Sequence, residues 1–232
     1  NMVNRLYALV DQLIISTKKQ HELANRKKEA ELAALQAQIN PHFLYNTFES
    51  VNWLIKSNEL DKATVMLNSL SEFLRYTAKS NEPIVTIKEE LGYAKHYALI
   101  MQMRFGPNLK FIWDIDEALM DQKTIRLILQ PLIENAIYHG IQPKGKAGII
   151  KITCYRSETD IILQVSDNGI GMSQEEIEEK NRNLNDDTFY ESIGLYNVQN
   201  RIKLFFGHDY GITLYGGIDQ GLTVDIKIPF AE

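Results

Sequence analysis

Between Val3 and about Ser57 the only helix breaker is Pro41, so this stretch reads as one long helix. At about 1.5 Å of rise per residue, such a helix would extend roughly 80 Å, far beyond what a small domain can cover. It needs a partner helix, which points to a coiled coil or a helical bundle. A seam is readable in two pieces, Leu6-Val10-Leu13-Thr17 and Leu32-Leu35-Ile39-His42. The two do not share a frame, so the register slips by one between Lys18 and Glu31. With no cap visible at its start, the helix is expected to continue upstream. Pro41 removes a backbone donor and crowds the preceding turn, predicting a kink. Around it, Gln38, His42, Tyr45, Glu49 and Lys56 share a polar face, and Phe43, Thr47, Val51 and Leu54 form an apolar stripe. His42 is therefore predicted to be exposed on a rigid helix beside a kink.

A second helix follows, with Leu60, Ala63, Leu67, Leu70, Leu74 and Thr77 on one seam. The short turn at Ser57-Asn58-Glu59 predicts antiparallel packing, and two such hairpins would make a dimeric four-helix bundle. Asn81-Glu82-Pro83 interrupts the pattern, Ile87 to Met103 reads as a third helix, and Gly106-Pro107-Asn108 ends it. Beyond this the style changes. Leu109 to Ile115, Ile149 to Tyr155, Ile161 to Val165 and Leu222 to Ile228 alternate as strands, whereas Ile125 to His139 and Val198 to Phe206 read as helices. This order predicts an α+β chain, with a helical first part and then an α/β sandwich of one sheet covered on one face by helices.

Composition excludes several classes. A net charge of -5 without a dense basic patch argues against nucleic acid as the main partner. The single cysteine, Cys154, cannot form an internal disulfide and falls in an apolar strand, predicting a buried thiol. No segment approaches the roughly 18–20 apolar residues needed to span a bilayer.

Three constellations carry chemistry. Asp167-Asn168-Gly169-Ile170-Gly171 follows an alternating strand; the glycines permit a tight turn with close backbone approach, and the aspartate is a fixed acceptor for an exocyclic amino group. Alone, this is also ordinary turn chemistry. Ser192-Ile193-Gly194-Leu195 opens a helix whose free donors suit phosphate, or it is a helix start capped by Ser192. Between the two glycine sites, Ser173 to Glu191 is acidic and Asn-rich; Ser173 and Glu176 fit a capping box for a short helix, and the remainder is expected to form a mobile lid. In Gln130-Pro131-Leu132-Ile133-Glu134-Asn135-Ala136-Ile137-Tyr138-His139-Gly140, Asn135 and His139 are spaced to share a helical face. The side-chain oxygen of Asn135 suits Mg²⁺ held mostly by water and phosphates, or a core hydrogen bond.

The order of these elements resembles the ATP-binding domain shared by sensor histidine kinases, gyrase-type ATPases and Hsp90-type chaperones. With Asn40-Pro41-His42-Phe43-Leu44-Tyr45-Asn46 upstream, the chain from about Leu32 resembles the LytS/YesM-type sensor histidine kinases. The residues before Leu32 resemble the exit helix of a HAMP signalling module. The resemblance implies a coiled-coil signalling helix over 1–31, a dimerisation and phosphotransfer hairpin over 32–80, and an ATP-binding catalytic domain over 81–232. It implies that His42 accepts a phosphoryl group from ATP, that Asn135 binds Mg²⁺, and that Asp167 reads adenine. By the same resemblance Gly169 and Gly171 shape the pocket, Gly194 and Leu195 sit at the phosphates, His139 faces the nucleotide, and Thr223 lies near adenine. The implied partners are a second copy of the chain and a response regulator receiver domain, with membrane attachment only through segments upstream.

Two positions depart from the wider superfamily. Many histidine kinases carry an acidic residue directly after the phosphoacceptor, where this chain has Phe43, so activation would rest on the neutral imidazole or on Gln38 or Asn46 orienting it. Many also carry Lys or Arg three residues after the metal-binding asparagine, where this chain has Tyr138. Lys144, Lys146, Arg201 and Lys203 are the candidates for the missing cation. The rival readings are an ATPase or serine kinase on the same ATP-binding fold, and a dimeric relay that binds nucleotide without transferring phosphate.

Overall fold

The computed structural model describes residues 41–78, 83–186 and 194–231. The chain divides into two compact units, Asn1–Ser50 and Val51–Glu232. The long upstream coil, its register slip and the junction before Pro41 lie outside the described residues.

In the first unit the described residues are the opening of helix α1 (Pro41–Lys56). Phe43 and Thr47 are buried, and His42, Tyr45 and Glu49 are exposed, as the two-faced pattern predicts. The hydroxyls of Thr47 and Ser50 donate back to the carbonyls of Phe43 and Asn46 at 2.7 and 2.8 Å, so neither competes with the helix for partners.

In the second unit α1 ends in a Schellman turn. Asn58 takes the left-handed conformation (φ 59°), its N–H donates to the carbonyl of Ile55, and that of Glu59 donates to Leu54. The chain then reverses into α2 (Leu60–Ala78). Val51 and Leu54 pack with Ala63 and Met66, and Met103 of the next helix closes the cluster. The buried stripe of α2 is Ala63, Met66, Leu70, Phe73 and Thr77, whereas Leu60 and Leu67 are exposed. The expected single seam thus resolves into two faces.

Strand β1 (Ile84–Thr86) pairs antiparallel with β3 (Lys123–Ile125) in a small separate sheet. Thr86 caps helix α3 (Ile87–Phe105) in a capping box with Glu89. The main sheet has the order β2-β4-β5-β7-β6, from β2 (Leu109–Ile115), β4 (Gly148–Ser157), β5 (Asp160–Asp167), β6 (Gly211–Gly217) and β7 (Gly221–Pro229). Only the β2–β4 pair is parallel. Registered partners Ile152–Val165, Val165–Val224 and Leu214–Val224 place one continuous apolar row on a single face. Helices α4 (Leu129–Asn135), α5 (Gln174–Asn185) and α6 (Leu195–Phe206) lie against this sheet, giving the α/β sandwich. The other face carries polar pairs such as Lys151–Asp114 at 2.7 Å. Cys154 is buried in the core, and burial pushes its thiol up to about 12, an inert structural position.

Three expectations need correction. The stretch from Ile125 is not one helix: β3 ends at Ile125, α4 starts at Leu129, and a left-handed Leu127 (φ 58°) separates them. Ser173 to Glu191 is less of a loop than expected, because Ser173 and Glu176 form the capping box and the helix behind it runs for 12 residues. Ile177 and Leu184 anchor that helix, and the side chain of Asn181 bonds both N–H and carbonyl of Leu214. Finally, β6 is a strand that its glycine-rich sequence concealed.

Candidate functional site

The site is built where the end of β5 meets the end of the α4 segment. Asp167, the last residue of β5, is 8% exposed, and its Oδ1 accepts the N–H groups of Gly169 at 2.7 Å and Leu222 at 3.4 Å. Burial pushes its carboxyl above the ordinary range, while those two bonds and the charge of Lys144 pull in the opposite direction. Lys144 itself donates to the carbonyl of Asn168, and the Asn168 side chain accepts the N–H of Ile149.

Close packing here admits no side chains. A Cβ on Gly169 would stand 2.2 Å from the carbonyl carbon of Gly140, and one on Gly140 would stand 2.7 Å from Asp167 Oδ1. Gly171 (φ 65°) is closed off by the carbonyl of Gly217, at 1.9 Å from a Cβ, in a backbone conformation that glycine tolerates. The N–H groups of Ile170 and Asp219 complete the knot, donating to the carbonyls of Gly140 and Ile170. The expected roles of Gly169 and Gly171 in shaping a tight turn therefore have a geometric basis.

Asn135 ends α4, and the chain continues as a π-helical segment, Ala136–Ile141. The wider winding means that Asn135 and His139 do not keep α-helical spacing, and His139 is exposed. Across from Asn135 lies Gly194, the capping position before α6, placed so that a Cβ there would sit 3.6 Å from the Asn135 amide nitrogen. Gly194 has no side-chain cap over it, and Leu195 behind it is half-buried. The structure thus brings together Asn135, Gly194 and Leu195. Ser192 lies outside the described residues.

Thr223 is not brought to Asp167. Its hydroxyl is 2.8 Å from that of Ser166, its partner in register, on the outward face of the sheet. Side chains alternate along β7, so the neighbouring Leu222 is the residue turned inward, with its N–H on Asp167. Of the four candidate cations, Arg201 is committed to the carbonyls of Arg126 and Leu127, Lys144 to Asn168 and Lys203 to Leu184; Lys146 is exposed.

In the first unit, the side-chain amide nitrogen of Asn46 lies 3.1 Å from Nε2 and 3.3 Å from Nδ1 of the exposed His42. Asn46 is thus one of the two side chains expected to orient that imidazole. Gln38 lies outside the described residues.

Comparison with known proteins bears on both halves. Residues 30–109 match the family described as histidine kinase, and residues 120–232 match the histidine kinase-, DNA gyrase B- and HSP90-like ATPases. Over 202 residues the chain is 41% identical to the sensor histidine kinase YesM of Bacillus subtilis, covering 87% of this chain and 34% of that protein. The chain belongs to the sensor histidine kinases. It is also 31% identical over its full length to the sensor protein kinase HptS of Staphylococcus aureus, covering 44% of that protein. The chain therefore spans about a third to under a half of the relatives it matches. The ATP-binding domain of PrrB from Mycobacterium tuberculosis is similar over 66% of this chain and all of that one, at 20% identity and a TM-score of 0.46.

For a histidine kinase ATP-binding domain, the residues that sequence reasoning missed are Gly140, Gly221 and Leu222. A Cβ on Gly221 (φ 84°) would meet the carbonyl oxygen of Asp167 at 1.9 Å, so it is as constrained as Gly169. Gly140 reads as an ordinary helix terminator, and nothing local reveals that it abuts a turn nearly thirty residues further on.

Proposed function

We propose that this chain is the kinase core of a dimeric sensor histidine kinase. It would use Mg-ATP to phosphorylate His42 and pass the phosphoryl group to an aspartate of a response regulator receiver domain. The observation that carries the reading is the meeting of an otherwise buried carboxylate, Asp167, with backbone closed by Gly140, Gly169 and Gly171, next to an asparagine facing an uncapped helix start at Gly194. Asp167 would accept the exocyclic amino group of adenine, and the glycines would hold its turn in place by packing against the backbones of Gly140 and Gly217. The N–H groups at Gly194 and Leu195 would receive phosphate oxygens, since four donors at any helix start lack intrahelical partners.

Among the described residues, no three His, Cys, Asp or Glu side chains converge as a metal site. One neutral amide oxygen, from Asn135, fits Mg²⁺ held mainly by phosphates and water. Such an ion would supply charge neutralisation at the phosphates. In the transfer, an imidazole nitrogen of His42 forms a bond to the γ-phosphorus, the bond from that phosphorus to the bridging oxygen breaks, ADP leaves, and the imidazole loses its ring proton to solvent. Phosphoryl transfer asks mainly for positioning and charge neutralisation. The Asn46 amide would hold the ring in one orientation, in place of an adjacent acid.

The test is incubation of the purified chain with γ-labelled ATP and Mg²⁺. Wild type should acquire acid-labile label, and His42→Gln should acquire none. Undiminished labelling of His42→Gln would remove His42 from the mechanism. ATP turnover unaffected by that substitution would favour an ATPase or a kinase acting on another residue, and nucleotide binding without any label would favour a relay.

A further inference from the structure

The segment that leads into the Asn135 helix is gripped from both sides. From α3, the fully buried Glu90 accepts three consecutive N–H groups: Leu127 at 2.8 Å on Oε2, and Ile128 at 2.9 Å and Leu129 at 3.0 Å on Oε1. These are the donors at the start of α4, for which no local side chain provides a cap. From α6, the Arg201 guanidinium donates to the carbonyls of Arg126 and Leu127. Between the two lies the left-handed Leu127, a conformation that persists in a non-glycine residue only when its surroundings over-determine it.

Both grips connect to the site. Asn135 ends the helix whose start Glu90 holds, and Gly194 begins the helix that carries Arg201. A shift of the gripped segment would therefore move Asn135 against Gly194. The grip is also touched by the hairpin. From α2, the Tyr76 hydroxyl reaches Glu90 Oε2 at 3.5 Å, the Arg126 guanidinium lies 4.8 Å over the Tyr76 ring, and the ring of Tyr93 stacks on Tyr76 at 4.6 Å.

We propose that Glu90 and Arg201 are positioning residues for the nucleotide site, and that Tyr76 makes their hold depend on the second hairpin helix. The inference rests on reading Asn135 and Gly194 as parts of an ATP site. Movement of α2 would then change nucleotide affinity without any contact between that helix and the nucleotide. Thermodynamic coupling requires the reverse as well, so that bound nucleotide biases the placement of α2.

The test uses the whole chain, with Mg-ATP affinity measured by calorimetry, autophosphorylation measured at saturating Mg-ATP, and folding checked by urea unfolding. Glu90→Gln keeps the shape but turns an amide toward the N–H donors. It should weaken Mg-ATP binding roughly tenfold, while labelling at saturation stays within about twofold of wild type. Arg201→Lys loses the fork that spans two carbonyls and should weaken binding about threefold or more. Tyr76→Phe keeps the ring and loses the hydroxyl. Its effect of about twofold should vanish when Glu90 is already Gln, because coupled contacts are not additive.

Folded Glu90→Gln and Arg201→Lys proteins with wild-type affinity would overturn the proposal, and if Glu90→Gln does not fold, Arg201→Lys decides alone. Additive effects of Tyr76→Phe and Glu90→Gln would overturn the link to the hairpin. A wild-type chain that binds no Mg-ATP would overturn the nucleotide reading itself; a binding wild type with unaffected variants would overturn this inference alone.

Discussion

A carboxylate enclosed by backbone responds to protons in a direction that can be worked out. Burial raises the Asp167 carboxyl above its ordinary 3.8, so the folded chain takes up that proton more readily than the unfolded chain. The stability contributed by this group is complete below pH 3.8 and is lost as pH rises through the raised folded value. Asp167→Asn removes the titration. The urea midpoint of wild type, measured relative to that of the variant, should therefore decline from acid toward neutral pH. A difference that grows with pH would contradict the assignment of burial as the dominant cause. Asp167 and Gly169 were legible because a glycine turn after an alternating strand is a local pattern. Gly140 and Gly221 were not, because each is constrained by backbone far away in sequence. The outward turn of Thr223 was not legible: pleating pairs its hydroxyl with that of Ser166 and leaves the N–H of the adjacent Leu222 on Asp167.

At the scale of elements, two glycines in or near helices have opposite prospects. Gly92 lies inside α3 with nothing within 4 Å of a Cβ built upon it, so Gly92→Ala should stabilise the chain by about 0.5–1 kcal/mol through lower unfolded-state entropy. Gly169→Ala must displace the backbone at Gly140 and should cost about 2–3 kcal/mol. Urea unfolding of the two variants checks both signs, and a destabilised Gly92→Ala would mean that the outer surface of α3 is covered in the assembled protein. Helices and strands with one clear period, such as α1, β5 and β7, could be read directly. The α2 helix was harder because apolar residues occur on two sides of it, and periodicity does not say which side packs within the chain. The π-helical turn after Asn135 left no mark either, since Gly140 within it reads as a helix end and the carbonyl that receives the Ile170 N–H belongs to a contact far along the chain.

For the whole molecule, the unburied sides of the hairpin are the informative part. Leu67 is 42% exposed and Leu60 56%, with Ile55 and Val65 also open to solvent, although the opposite side of the same hairpin packs fully. A second copy of the hairpin is the occupant expected from the proposed bundle. Leu67→Glu should then shift wild-type dimers toward monomers in sedimentation, with the ATP-binding unit still folded. Dimers that persist at equal strength would place the seam elsewhere. The fold class, a helical part and then an α/β sandwich, could be read from sequence because the change from helical to alternating pattern is abrupt; the hub at Glu90 could not, since it joins four separated segments. The hairpin also contains a gauge of its own state. Of the two tryptophans in the chain, Trp53 is 62% exposed on α1, and Trp113 sits on the edge strand beside Phe111 and beneath the ammonium of Lys95. With Trp113 replaced by Phe, all remaining indole emission comes from the hairpin, and its colour would follow the hydration of that helix in real time.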